Sequence, residues 1–328
     1  PWLGLLLSLT LPAVWATALP RVAAPARAAD DAPGARVPAE VNTFSIVAYD
    51  PDHKEWGVAV ASKYLAVGAV VPWAKAGVGA VATQAFTEPA YGPRGLKLLA
   101  AGADPAEALA ALLGEDGLRD VRQVALLAAD GRTAAHTGAA CVPDCGHVAR
   151  DGVSAQGNML ASPAVWHAAA DTFQATAGSL AERLLAALDA AEEAGGDFRG
   201  REAAALLVVS GDPGAEPWRR EVDLRVDDHP DPLGELRRLA RIAAAYRRRR
   251  SFGERTSVEE EAELAREAGL PEDQVALTAA LAAVAAGDLD EAAARLAPLG
   301  AADPRWREAL ERYVRLGQLP AALLDRLG

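Results

Sequence analysis

Two β runs, Thr43–Tyr49 (TFSIVAY) and Trp56–Ala61 (WGVAVA), are parted only by a turn that begins Asp50-Pro51-Asp52. They constrain the fold more than any other feature of the chain. β-Branched and aromatic residues recur in both and turn formers separate them, so they read as an antiparallel hairpin. A second hairpin is written at Gln123–Ala128 and Thr133–Thr137, turned by Asp130-Gly131. A doubly wound parallel sheet needs strict strand–helix–strand alternation, which hairpins break.

The other elements fall around these hairpins. Val67–Val71 and Val78–Thr83 read as short strands. Two helices follow, Tyr91–Ala101 and Asp104–Leu113, the second with Asp104 as N-cap and Pro105 in the first helical position. After the second hairpin come a strand at Val153–Gln156 and helices at Pro163–Ala175 and Leu180–Ala194. Strands at Ala204–Val209 and Glu221–Val226 close the set, and a helix runs from near Pro232 to the basic run at Arg247. The order is strands, helix pair, strands, helix pair, strands. It predicts an α+β fold over residues 43–250, with two sheets face to face and helices outside, a four-layer αββα sandwich.

The two ends read differently. An apolar run from Trp2 to Leu11 meets Pro12 and then Ala16-Thr17-Ala18, the pattern of a secretory signal over residues 1–18. It is shorter than the roughly 20 apolar residues that span a bilayer. With no initiator Met and no basic segment before it, the chain reads as truncated at its start. Residues 19–42 are Ala-, Pro- and Arg-rich without periodicity and read as a linker or propeptide. The expectation is a secreted or periplasmic protein with no stable membrane span after signal removal.

From Ser257 the pattern is helical, broken at Gly269-Leu270-Pro271, Gly287-Asp288, Asp303-Pro304 and Gly317. It predicts a separate all-α domain over 257–328, of about four or five helices. Leu270, Val275, Leu277, Leu281, Leu289, Leu296 and Trp306 are expected to face inward. AAVAAGDLDEAAARLAPLGAADPRW resembles one tetratricopeptide unit, and a lone unit cannot bury its face. The tail is therefore expected to pack on the main domain or on a second copy in a homo-oligomer. With 33 basic against 45 acidic side chains, a net charge of −12, the chain is not expected to bind nucleic acid, which needs clustered Lys and Arg. The run Tyr246–Arg250 suits a helix C-terminus.

Residues 43–86 (TFSIVAYDPDHKEWGVAVASKYLAVGAVVPWAKAGVGAVATQAF), with YGPRGLKLL, AAHTGAAC, QGNML, GGDFRG and VDLRVDDHPDP, resemble the bacterial and archaeal family known as domain of unknown function 1028. The resemblance covers roughly residues 43–245. It implies an N-terminal-nucleophile (Ntn) hydrolase fold and hydrolysis of an amide bond, but no substrate.

Such enzymes use the hydroxyl or thiol of residue one as nucleophile and its own α-amine as base. That amine has an ordinary pKa of about 7.7–8.0, near working pH. Thr43 opens the first core strand and is the expected nucleophile, which requires cleavage of the Asn42–Thr43 bond by the chain itself or by a protease. As a bare β-branched strand residue it would have no such role. Ser62 and Lys63 end the second strand, and Lys63 would lower the amine pKa. Asn158, with the Gly157 backbone, is expected to supply oxyanion donors in a turn before a helix. Thr83, Gln84, Gln156, Gly157 and His136 are the expected substrate contacts.

Cys141 and Cys145 are the only cysteines, and they either form a small-loop disulfide or stay free; a zinc pair with His147 lacks a fourth ligand. Asp197 and Arg199 lie in a Gly-rich turn, followed by Glu202 and Ala203 where the family commonly has Gln and Ser. Asp227 to Pro232 holds metal-ligand types, yet neighbouring strand residues point to opposite faces, so it reads as a turn with Asp231 as N-cap. No metal or cofactor is expected. The expected partner is a peptide-like or small-molecule amide. The competing reading is a non-catalytic binding or scaffold protein that meets partners through its helical tail.

Overall fold

The computed structural model describes residues 40–41, 43–211, 220–250, 257–317 and 319–327. The signal reading (residues 1–18) and, apart from β1, the linker reading fall outside these residues. A short strand β1 (Glu40–Val41) leads to the expected hairpin, β2 (Thr43–Asp50) and β3 (Glu55–Ser62), in which Thr43 lies opposite Ser62. Then come β4 (Pro72–Lys75), β5 (Gly79–Phe86) and helices α1 (Tyr91–Ala100) and α2 (Pro105–Gly114). The Asp104 side chain caps α2 by accepting from Ala106 N, with Pro105 at the helix start. The second hairpin is β6 (Arg122–Ala128) and β7 (Thr133–Thr137), with Gly131 at φ 87° in its turn.

Strands β8 (Gly146–Arg150) and β9 (Val153–Asn158) precede helices α3 (Ala164–Ala175) and α4 (Leu180–Glu193), the latter closed by a Ser179/Glu182 capping box. Strands β10 (Ala203–Val209) and β11 (Val222–Val226) lead into α5 (Pro232–Arg250).

All strand pairs are antiparallel and make two sheets. One is ordered β11-β10-β3-β2-β9-β8; the other is β1-β5-β6-β7 with β4 also on β5. β1 and β4 share one side of β5, β4 against its first half and β1 against Ala85 and Phe86 at its end. The chain therefore leaves one sheet at Val41 and enters the middle of the other at Thr43.

Side-chain alternation along the strands sorts three apolar layers. Val47, Val58, Val60, Ala80, Ala82, Ala125 and Leu127 meet between the sheets. Phe44, Ile46, Ala155 and Leu206 face α3, α4 and α5 on one outside, through Phe173, Leu184, Leu188 and Leu236. Val81, Val124 and Leu126 face Leu96, Leu99, Leu109 and Leu112 of α1 and α2 on the other. Burying each large side chain stabilises by roughly 1.5–3 kcal/mol.

Several expectations need correction. Val67–Val71 is not a strand but a 3-10 turn at Val67–Ala69, entered through Ala66 in the left-handed region at φ 55°. Val67 and Val71 are buried without pairing in a ladder. The strand β8 was missed. The QGNML segment is not a turn onto a helix: β9 runs through Asn158, and α3 starts only at Ala164.

The tail forms five helices, α6 (Val258–Glu267), α7 (Glu272–Ala286), α8 (Leu289–Ala302), α9 (Pro304–Arg315) and α10 (Ala322–Leu327). Gly287 at φ 82° ends α7, and Asp288 and Asp303 cap α8 and α9. Of the residues expected inward, Val275 and Leu296 are buried, while Leu270, Leu277, Leu281, Leu289 and Trp306 are half-buried. Alanines 279, 280, 283 and 292 fill much of the centre instead. The apolar clusters of the tail share no residue with those of the sheets, although Pro38–Gly328 is one compact unit. No described helix is long and apolar enough to cross a membrane.

Candidate functional site

Apolar residues fill only one end of the layer between the sheets. The other end, where β2 begins and β3, β5 and β9 finish, is polar. The same alternation that turns Val47 inward turns Thr43 and Ser45 inward. Gln84 follows Ala80 and Ala82 on β5, Gln123 precedes Ala125 and Leu127 on β6, and Ser154, Gln156 and Asn158 share a face of β9. Each of these polar side chains is at most 2% exposed.

Thr43 sits centrally, with Ser62 opposite on β3 and Asn158 opposite on β9. Its Oγ1 donates to Ser62 Oγ at 3.2 Å. Its carbonyl accepts from Gln84 Nε2 at 3.3 Å. Ser45 Oγ donates to Gln84 Oε1 and accepts from Gln156 Nε2, each at 2.6 Å, and Ser154 Oγ donates to Gln156 Oε1 at 3.0 Å.

Gln123 bridges the sheets. Its Oε1 accepts from Gln84 Nε2 at 2.7 Å and from Asn158 Nδ2 at 3.0 Å. Its Nε2 donates to the carbonyls of Gly157 (2.8 Å) and Gly146 (3.0 Å) and to Thr137 Oγ1 (2.9 Å). Thr137 Oγ1 lies 2.9 Å from His147 Nδ1 at the rim; desolvation and the nearby His136 lower the pKa of this ring. Buried amides are tolerated when so partnered, since each group left unpaired costs about 1–3 kcal/mol.

Thr43, Ser62, Gln84, Gln156 and Asn158 thus come together as the sequence predicts. Thr83 and His136 do not. Each neighbours an inward residue and so faces outward: Thr83 Oγ1 donates to Glu88 O at 3.1 Å, and the His136 ring lies 2.9 Å from Arg119 O. Gly157 belongs to a strand paired on both sides, and a Cβ there would come within 2.2 Å of Leu160 Cδ1. Its missing side chain lets Leu160 fold back under the strand. Lys63 is drawn elsewhere: its Nζ lies 3.4 Å from Glu202 Oε2, and its backbone N–H donates to Asp197 Oδ2 at 3.1 Å. Asp197 also takes Arg199 Nη2 at 2.7 Å and bridges to Leu160, so the Gly-rich turn ties the ends of β3 and β9 together.

The residues missed were Ser45, Gln123, Thr137, Ser154 and His147. Their signal was parity along each strand rather than any motif.

Cys141 and Cys145 are both free thiols. Burial pushes Cys141 up to about 11, and it donates to Arg122 O at 3.3 Å; burial raises Cys145 as well. Both shifts favour the neutral thiol, the opposite of what activates a cysteine nucleophile. Asp231 accepts from Gly234 N at 3.1 Å, as an N-cap of α5. Among the described residues, no group of three His, Cys, Asp or Glu is placed to hold a metal ion.

Comparison with known proteins gives a family without a chemistry. Residues 43–236 match the model described as "Family of unknown function (DUF1028)". The crystal structure of a protein from Silicibacter pomeroyi, of the same family designation, is 36% identical and superimposes with a TM-score of 0.57 over 62% of this chain and 89% of that one. No curated protein matches.

Proposed function

The chain belongs to the family of unknown function DUF1028, and from that premise we propose that it is an amide hydrolase of the Ntn type with Thr43 as nucleophile. The observation that carries this reading is a buried hydroxyl on the first residue of a central strand, donating at 3.2 Å to Ser62 Oγ inside a polar layer between two sheets. The layer order of helices, two antiparallel sheets and helices supports an Ntn-like αββα sandwich. The tail would be a tetratricopeptide-like helical domain.

In the joined chain Thr43 Oγ1 attacks the Asn42 carbonyl carbon, its proton passing by way of Ser62. The C–N bond breaks as nitrogen takes a proton, leaving an ester. The amine is thereby freed, and water then splits the ester to give the Asn42 carboxylate and restore the Thr43 hydroxyl. The amine next acts as base: it takes the Oγ1 proton while oxygen attacks a substrate amide carbonyl, and it returns that proton to the leaving nitrogen. Water hydrolyses the resulting acyl ester. Gln84 and Gln156 line the approach. The apolar run Trp2–Leu11 supports export before or during this maturation.

The test is the intact mass and N-terminal sequence of protein recovered from its native host. A chain beginning at Thr43 is expected. An uncut Asn42–Thr43 bond defeats this reading and leaves the chain as a non-catalytic scaffold on the same fold.

A further inference from the structure

Asn158 ends β9 directly across the ladder from Thr43 and is 1% exposed. Its Oδ1 is a buried acceptor with no hydrogen-bond partner, the single such side-chain atom among the described residues. Its orientation is fixed by the neighbours. Gln123 Nε2 faces the Gly157 and Gly146 carbonyls, so Gln123 Oε1 must turn toward Gln84 and Asn158. The end of Asn158 that lies 3.0 Å from that oxygen is therefore its amide NH2. Its carbonyl is left pointing off the network. Close-packed polar layers rarely leave such a group unfilled.

The sequence reading made Asn158 an oxyanion donor. A carbonyl lone pair has the wrong sign for that task. What the site gains when the bond before Thr43 is cut is donors: one amide N–H becomes an amino group with two, or three when protonated. We propose that Asn158 Oδ1 seats the freed α-amino group of Thr43, making Asn158 a positioning residue for the catalytic base. This inference rests on the Ntn reading above. Accepting from one amine N–H fixes the nitrogen so that its lone pair can turn toward Oγ1. It also favours the ammonium form, so the amine titrates higher than it would without Asn158.

The charged groups near this end are already engaged: Lys63 with Glu202, Asp197 with Arg199, Arg122 with Asp116, Glu88 with Ala90 N, and His147 with Thr137. They stay constant between Asn158 variants, so a difference reports on Asn158 alone.

The experiment uses the chain from Thr43 to Gly328, released from a cleavable fusion and carrying 13Cα-labelled threonine. The Thr43 signal, assigned with Thr43→Ser, is followed against pH. Asn158→Leu is expected to lower the amine pKa by about one unit, and Asn158→Asp to raise it by at least as much. Coincident titrations of wild type and both variants overturn the proposal. Thermal melts verify folding, and if Asn158→Leu does not fold, Asn158→Asp against wild type decides. An uncut native chain together with the ordered shifts defeats the enzyme reading and keeps the seat. A native chain beginning at Thr43 without the shifts does the reverse.

Discussion

The two ends of the inter-sheet layer are built from the same strands and differ in kind. One holds Val47, Val58, Val60, Ala82 and Leu127. The other holds Thr43, Ser45, Ser62, Gln84, Gln123, Gln156 and Asn158. The apolar end stabilises simply by leaving water. The polar end exchanges water bonds for protein bonds, at a net gain of only about 0.5–1.5 kcal/mol each. Stability alone therefore explains the first end and not the second. The polar end gathers its side chains around Thr43, whose hydroxyl donates to Ser62 and whose carbonyl accepts from Gln84, as the proposed reaction would need.

That contrast can be broken, beginning with the largest expected effect. Thr43→Ala should abolish both maturation and any activity on a panel of amides. Because Thr43 is fully buried, the substitution should also cost about 1–2 kcal/mol by denaturant unfolding, more than a surface change would. Wild-type protein with a free Thr43 that is no more active than the variant would end the enzymatic reading.

Gln123→Leu comes next. It removes a partner of the Gly157 and Gly146 carbonyls and of the Asn158 amide, and one of the acceptors of Gln84 Nε2, so a loss of about 4 kcal/mol or more is expected in urea. Leu127→Ala at the apolar end should cost less, about 3 kcal/mol. If Gln123→Leu proves the milder of the two, the polar end is not the tightly satisfied network described here.

Deleting residues 257–328 should leave one cooperative melt, lowered by about 2–8 °C, since the sheet clusters are complete without the tail. Loss of cooperative melting would show that the tail belongs to the same folding unit.

The smallest effect concerns acid. Burial alone would raise Asp116, but hydrogen bonds from Arg122, Leu118 N–H and Tyr91 outweigh it and hold the carboxyl below its ordinary range. A lowered folded pKa contributes stability that is full above the ordinary carboxylate range and is lost as pH falls through the lowered value. Asp116→Asn should therefore flatten the fall in melting temperature below about pH 4, and an unchanged slope would contradict that assignment.

Much of this was legible from the chain. The hairpins follow from their turns and α2 from Asp104-Pro105, whereas Thr43 opposite Ser62 needed the register of β2 on β3, a strand that runs one residue past the expected Ala61. Asn158 against Thr43 needed the pairing of β2 with β9, which lies more than a hundred residues away in sequence. Thr83 and His136 failed for a reason of parity, since adjacent strand residues cannot both face one layer. The edge strand β8, with every residue at least partly exposed, gave no apolar signal. Val67–Val71 gave a false one, because an apolar run can be buried as a turn. The sign of Asn158 was beyond the sequence altogether. It depends on which end of Gln123 faces two backbone carbonyls.

The two-residue strand before Thr43 would give the proposed cleavage a direction. While the chain is whole, Glu40–Val41 meets Phe86 and Ala85 at the high effective concentration of a tethered segment, on the order of millimolar. If the bond before Thr43 is cut, the same pairing becomes bimolecular, and so short a ladder could not hold against dilution. Cleavage would then act as a ratchet: the departing segment carries away the occupant of the sheet end beside Gln84, and mass action opposes its return.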